Sequence, residues 1–216
     1  MSIYTIKEKI GPNSTFIHIN NVLSNQELGN LKHYLDNTND WKISYKYDNV
    51  NIQRKQKWFS VDNAPFCSKW KSNHPKWQPH SYCNYLTYLQ NIIIKKVQET
   101  LPDEIVDFNS ILINFYDNGD NFISPHQDNK HSFGDHPVIA ILSIGSSRTF
   151  LIERTYYDQV KRNFDQDNMN KEFILKDNSL LIMTGSSQKY FCHSIKKQPE
   201  IKDKRYSFSF RLKIDN

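Results

Sequence analysis

Cysteine is scarce: three residues in 216, Cys67, Cys83 and Cys192, an odd number with no CxxC spacing. That argues against a disulfide framework and against a cysteine-built zinc site, and it suits a reducing compartment. Long apolar runs are lacking too. The longest, 138–142 and 180–183, fall far short of the roughly 20 residues needed to cross a bilayer. The N-terminal Met1-Ser-Ile-Tyr-Thr-Ile-Lys-Glu8 has no apolar signal-peptide segment. An intracellular protein, in cytoplasm or nucleus and with no membrane partner, is therefore expected. No internal repeat or low-complexity linker breaks the chain. Net charge is small, +5 from 28 Lys+Arg against 23 Asp+Glu, too little by itself to name a partner.

What is present is enough for one folded unit. The length predicts a single domain, and 38% hydrophobic with 13% aromatic residues supplies a core that a disordered chain would lack.

The charge is unevenly placed. Residues 41–80 hold eight basic residues (Lys42, Lys46, Arg54, Lys55, Lys57, Lys69, Lys71, Lys76) and two acids, Asp48 and Asp62, a net +6. The other 176 residues net −1. All four tryptophans (Trp41, Trp58, Trp70, Trp77) lie in the same stretch, with Tyr45, Tyr47, Phe59 and Phe66. Cations neutralise phosphates and flat rings stack on bases, so this pattern fits a nucleic-acid surface. It equally fits a β-rich region with its rings in the core and its lysines in solvent.

Ser24-Asn-Gln-Glu27 is a capping box opening a helix with Leu28, Leu31 and Leu35 on one face, ending near residues 36–40. Short strands and loops broken by Pro65, Pro75 and Pro79 follow. A second helix, from about Tyr82 to Thr100, carries Tyr85, Leu89, Ile92, Ile93 and Val97 at helical spacing and stops before Pro102. Beyond residue 108 eight short β runs are predicted: 110–116, 121–125, 138–144, 148–153, 172–175, 179–183, 189–193 and 206–213. That is a sandwich or barrel. A polar exposed loop is expected over 158–171.

His126-Gln-Asp128 sets a His and an Asp at i, i+2, on one face of an extended chain. His193 is the candidate third ligand. Two imidazoles and a carboxylate on one face of an octahedral ion leave the opposite face open, which suits non-haem Fe(II). HxD alone is weak, and His18, His33, His74, His80, His131 and His136 are alternatives. On the last run, Arg205, Ser207, Ser209 and Arg211 alternate with Tyr206, Phe208, Phe210 and Leu212. The polar face meets solvent or lines a pocket mouth, where an arginine grips a carboxylate with two bonds. Asn114 and Tyr116 form a similar same-face pair. Cys192 points away from His193 and is read as core. Lys196, Lys197, Lys202 and Lys204 read as a solvated loop.

In order along the second half, Asn114-Phe-Tyr116, the turn at Gly119, His126-Gln-Asp128, 137–145, Arg148-Thr-Phe150, 178–183 with Gln188 and His193, and Arg205 to Arg211 together form a pattern. The chain resembles the AlkB family of Fe(II)/2-oxoglutarate-dependent nucleic-acid dealkylases, close to the animal DNA-repair branch. The resemblance implies an α+β, mainly β fold. Its double-stranded β-helix (jelly-roll) core would occupy 109–216, behind two supporting helices and a nucleotide-recognition lid within 1–108, the lid at about 41–80. It implies Fe(II) on His126, Asp128 and His193. It also implies 2-oxoglutarate held by Asn114, Tyr116, Arg205 and Arg211, with Ser207 standing where the family usually has Asn. O₂ would be the oxidant. The implied reaction demethylates N1-methyladenine- or N3-methylcytosine-type bases in DNA or RNA, releasing formaldehyde, succinate and CO₂. Arg54-Lys-Gln-Lys-Trp-Phe59 is similar to a lid segment, which makes Trp58, Phe59 and Phe66 the base-stacking candidates. Asn129-Lys130 replaces acids that often follow HxD, which leaves the preferred base open. A protein or small-molecule substrate is the alternative, and a monomer is expected.

Overall fold

The computed structural model describes residues 5–10, 13–43, 54–69, 77–154 and 170–214. Tyr45, Lys46, Tyr47, Asp48, Trp70, Lys71, His74 and Lys76, and all but the end of the expected loop 158–171, lie outside the described residues.

The expected capping box forms. Ser24 Oγ accepts from the Glu27 N–H, Glu27 Oε2 accepts from the Ser24 N–H at 2.7 Å, and α1 (Asn25–Asp36) buries Leu31 and Leu35. Helix α2 (Asn84–Thr100) buries Leu86, Leu89, Ile93 and Val97 along one stripe. Both helices cover one face of a large sheet, joining Ile111, Ile113, Leu142, Leu180, Phe208 and Phe210 in one apolar cluster.

That sheet has the order β1(Thr5–Lys9), β2(Ser14–Asn20), β11(Ser179–Gly185), β8(Ile139–Gly145), β13(Arg205–Arg211), β6(Ser110–Tyr116), β4(Lys55–Ser60), β3(Lys42–Ile43), and β5(Pro79–His80) pairs with β4. A second sheet runs β10(Lys171–Leu175), β9(Arg148–Arg154), β12(Phe191–Ile195), β7(Ile123–His126). Between the sheets lie Phe16, Ile139, Ile141, Leu181 and Met183 from one side and Phe150, Ile152, Phe173 and Ile195 from the other. The large sheet is thus buried on both faces, and β8 and β11 read as unbroken apolar runs for that reason. All pairings but β4–β5 are antiparallel. Two antiparallel sheets packed face to face, with helices behind the larger, make the jelly-roll expected from the sequence.

β1 and β2 extend the sheet at its N-terminal end and were not expected. The 189–193 run also differs: a helical turn, α4 (Ser187–Tyr190), precedes β12, because the Lys189 and Tyr190 N–H groups both turn back to Ser186 O. A second turn, α3 (Lys130–Phe133), is capped by Asn129 Oδ1. Asn178 adopts φ 58° and clamps Leu23, accepting from its N–H and donating to its carbonyl. The β6–β7 turn needs Gly119, because a Cβ there would collide with Gln198 O.

Candidate active site

His126 ends β7 and faces His193 directly across the β7–β12 ladder, their ring centroids 4.2 Å apart. Asp128 lies just past the strand end. Its N–H donates to Gln188 Oε1 at 2.9 Å, and Gln127 Nε2 donates to Lys189 O at 3.1 Å, so α4 holds this loop against β12. The result gathers one ligand atom each from His126, Asp128 and His193 within 4.8 Å of one another. His126 Nδ1 bonds Ser124 O at 2.9 Å, which leaves Nε2 bare, 4.0 Å from Asp128 Oδ1. Phe150 stacks on the buried His193 ring, whose Nδ1 has no hydrogen-bond partner.

Electrostatics favours the metal-ready protonation states. Burial pushes His193 down to about 3, with His126 adding to the effect. Burial also lowers His126, against the pull of Asp128. For Asp128, burial acts to raise the carboxyl, but Arg211, His193 and His126 outweigh it and hold it below the usual range. Arg211 Nε donates to Oδ2 at 2.6 Å and Nη2 to Oδ1 at 3.1 Å, a two-bond pair with both side chains buried. Neutral imidazoles beside a carboxylate are the donor set a dication takes.

These groups open into a cavity of about 520 Å³ between the sheets, lined on the large-sheet side by Asn114, Tyr116, Arg205, Ser207, Ser209 and Arg211. The polar face of β13 therefore lines the pocket, and Phe208 and Phe210 join the helix-side core. Arg205 is 0% exposed. It donates Nη2 to Ser143 Oγ at 2.8 Å, and its Nε and Nη1 have no partner. Its guanidinium lies over the Tyr116 ring, with Arg148 near the same ring. Arg211 Nη1 is likewise buried and unpartnered. Buried guanidinium donors left unsatisfied are costly, so these two arginines, at either end of β13, fit anionic groups such as the two carboxylates of 2-oxoglutarate. Arg148 differs: it bonds the carbonyls of Asn118, Gly119, Asn121 and Lys196 and ties the Gly119 turn to β12's exit.

A sequence profile of the 2OG-Fe(II) oxygenase superfamily matches residues 15–211, nearly the whole chain. The chain belongs to the 2OG-Fe(II) oxygenase superfamily. This oxygenase is 27% identical over 135 residues to "DNA oxidative demethylase ALKBH2" of Arabidopsis thaliana, covering 56% of this chain and 42% of that protein. It is 30% identical over 148 residues to "alpha-ketoglutarate-dependent dioxygenase alkB homolog 3" of Homo sapiens, covering 64% of this chain and 44% of that one. The match thus spans under half the length of these curated relatives. Both relatives carry AlkB-type names, the family that the series of motifs in the second half resembles. The structure of OsALKBH1 superposes with a TM-score of 0.61 at 14% identity, covering 96% of this chain and all of that one, which supports the fold. The superfamily's cofactors are Fe(II), 2-oxoglutarate and O₂.

Two of the oxygenase's expected stacking rings are misplaced. Trp58 is 0% exposed, donates Nε1 to Ala64 O at 3.0 Å, and packs on Phe66 and Phe133. Phe59 points to the other side of β4, into the helix-side core beside His80 and Tyr82. Neither lines the cavity. Both correct the sequence reading, and the cause is that both faces of β4 are covered: Trp58 packs in one apolar cluster with Phe66 and Phe133, and Phe59 in the helix-side core. Phe66 does line the cavity, against Trp77 at 4.6 Å between ring centroids. Trp77, Arg54, Gln56 and Leu112 also line it, and none of these four was singled out from the sequence as a site residue. Alternation along β4 was the available signal, because Arg54 and Gln56 share a face.

The basic stretch is partly structural. Lys57 is buried over the Trp41 ring, Lys55 pairs with Asp117 at 2.8 Å, and Arg54 is buried in the cavity wall. Cys192 points away from His193 as expected but is only half-buried. Lys196, Lys197 and Lys204 pair with Glu172, Asp120 and Asp36. Among the described residues no helix is long and apolar enough to cross a membrane.

Proposed function

We propose that this chain is an Fe(II)/2-oxoglutarate-dependent dioxygenase that oxidatively removes N-methyl groups from bases of DNA or RNA. The observation that carries this reading is one cavity holding a His-Asp-His cluster, a buried arginine with unsatisfied donors and, beside them, the Phe66–Trp77 pair. The names of the AlkB-type relatives point the same way.

His126, Asp128 and His193 would hold Fe(II). Arg205, with Asn114, Tyr116, Ser207 and Arg211 around it, would bind 2-oxoglutarate. When bound, iron, cosubstrate and O₂ together supply the oxidising equivalent that hydroxylates the N-methyl carbon, with succinate and CO₂ formed; the N-hydroxymethyl product then loses formaldehyde. The protein's part is positioning. Arg211 fixes the Asp128 carboxylate by two bonds and keeps it ionised. Gln188 and Gln127 anchor the loop that carries it. Phe150 stacks on His193 and fixes the plane of its ring. Phe66 and Trp77 supply flat surfaces against which a base can lie, worth about 1–3 kcal/mol per stacked base.

The test uses oligonucleotides, DNA and RNA, single- and double-stranded, carrying N1-methyladenine or N3-methylcytosine. Formaldehyde that requires both Fe(II) and 2-oxoglutarate is expected from at least one. No 2-oxoglutarate-dependent product from any would refute the reading.

A further inference from the structure

We infer that Arg54 and Gln56 are positioning residues for the cosubstrate, locking the Asn114 carboxamide with its NH₂ group toward the cavity. The inference rests on the reading of this cavity as the 2-oxoglutarate site.

Asn114 is central in the large sheet, with Gln56 of β4 directly opposite on one side and Ser207 of β13 opposite on the other. All three side chains line the cavity. Asn114 Oδ1 accepts two hydrogen bonds, from Arg54 Nε at 3.0 Å and from Gln56 Nε2 at 2.8 Å. A carbonyl oxygen has two lone pairs, and both are used. Turning the amide over would set its NH₂ against the Arg54 guanidinium, which can only donate, in a buried site. The observed orientation is thus held from behind, and Nδ2, which has no partner among the described residues, is left to donate forward. A carboxylate accepts only, so this orientation suits an anion and the turned-over one repels it.

Arg54 adds a mechanical link. Its Nη1 donates to Phe122 O at 3.3 Å, on the segment leading into β7, which ends at His126. One side chain therefore ties the start of β4 to both the Asn114 amide and the approach to the metal-ligand cluster.

Calorimetric titration of 2-oxoglutarate into the Mn(II)-loaded protein tests this without turnover. Gln56→Leu and Arg54→Lys should each weaken 2-oxoglutarate binding by about threefold to tenfold, the range of one lost hydrogen bond, with Mn(II) affinity unchanged. In an Asn114→Ala background Gln56→Leu should weaken it no further, because its effect runs through that amide. Circular dichroism verifies folding; if one variant does not fold, the other carries the same expectation. Undiminished 2-oxoglutarate affinity in the folded variants, or additive losses in the double variant, overturns the inference. If the wild-type protein binds Mn(II) but no 2-oxoglutarate, the cosubstrate reading fails, and this inference fails with it.

Discussion

Asp128 does two jobs at once, and its removal separates them. It is the charged member of the His-Asp-His cluster and the partner of a buried Arg211. Asp128→Ala should abolish Fe(II) binding and turnover, more than the about 10–100-fold loss typical of residues behind metal ligands. It should also lower the melting temperature, because Arg211 loses its carboxylate partner. Retained iron-dependent turnover would mean that the cluster is misassigned. Arg205→Ala should raise the 2-oxoglutarate KM far more than the oligonucleotide KM; equal shifts would remove Arg205 from the cosubstrate role. Protonation gives a third prediction at this scale. The folded-state pKa of His193 lies at about 3, against 6.5 for an unperturbed imidazole, and His126 and His18 are shifted the same way. Below about pH 6.5 the unfolded chain takes up protons that the folded one refuses, so stability falls with pH by up to about 1.4 kcal/mol per unit per group. The urea midpoint of the metal-free protein should hold above about pH 7 and decline from there toward pH 4. A level midpoint across that range would contradict the buried, neutral imidazoles.

At the scale of elements, β4 and β13 show why some site residues could be read from sequence and others could not. β13 alternates strictly, and only its position decides whether Arg205, Ser207, Ser209 and Arg211 meet solvent or a pocket. The series of motifs supplied that position, and the structure places all four on the cavity. β4 alternates too, but it has apolar or aromatic neighbours on both faces. Which ring faced the cavity depended on what covered each face, and no local pattern encodes that. Trp58 is a packing residue, so Trp58→Ala should cost about 3–5 kcal/mol of stability. Trp77→Ala should leave the melting temperature much closer to wild type and raise the oligonucleotide KM about tenfold, in line with about 1–3 kcal/mol for a stacked base. The reverse pattern, in melting curves and steady-state kinetics, would return Trp58 to the stacking role. The helices were legible because their signals are local, a capping box in α1 and an apolar stripe in α2. β1 and β2 were not: in β2 polar His18 is buried among apolar neighbours, which blurs the alternation.

The whole molecule is three layers, helices on a large sheet on a small one, with the cavity between the two sheets. The uneven charge of the sequence changes meaning at this scale. Of the eight basic residues in 41–80, Arg54 faces the cavity, Lys57 is buried over a tryptophan and Lys55 is paired, so the net +6 is not all offered to phosphate. Under the proposed function, what favours a nucleic-acid base is the Phe66–Trp77 pair in the cavity of the His-Asp-His cluster, more than the charge of the stretch. Product counting on methylated oligonucleotides bears on this most directly. With Fe(II), 2-oxoglutarate and O₂, the protein should release formaldehyde in step with oligonucleotide-dependent succinate, and Asp128→Ala should release neither. Succinate formed at the same rate with and without every methylated oligonucleotide, and no formaldehyde from any, would contradict a nucleic-acid demethylase.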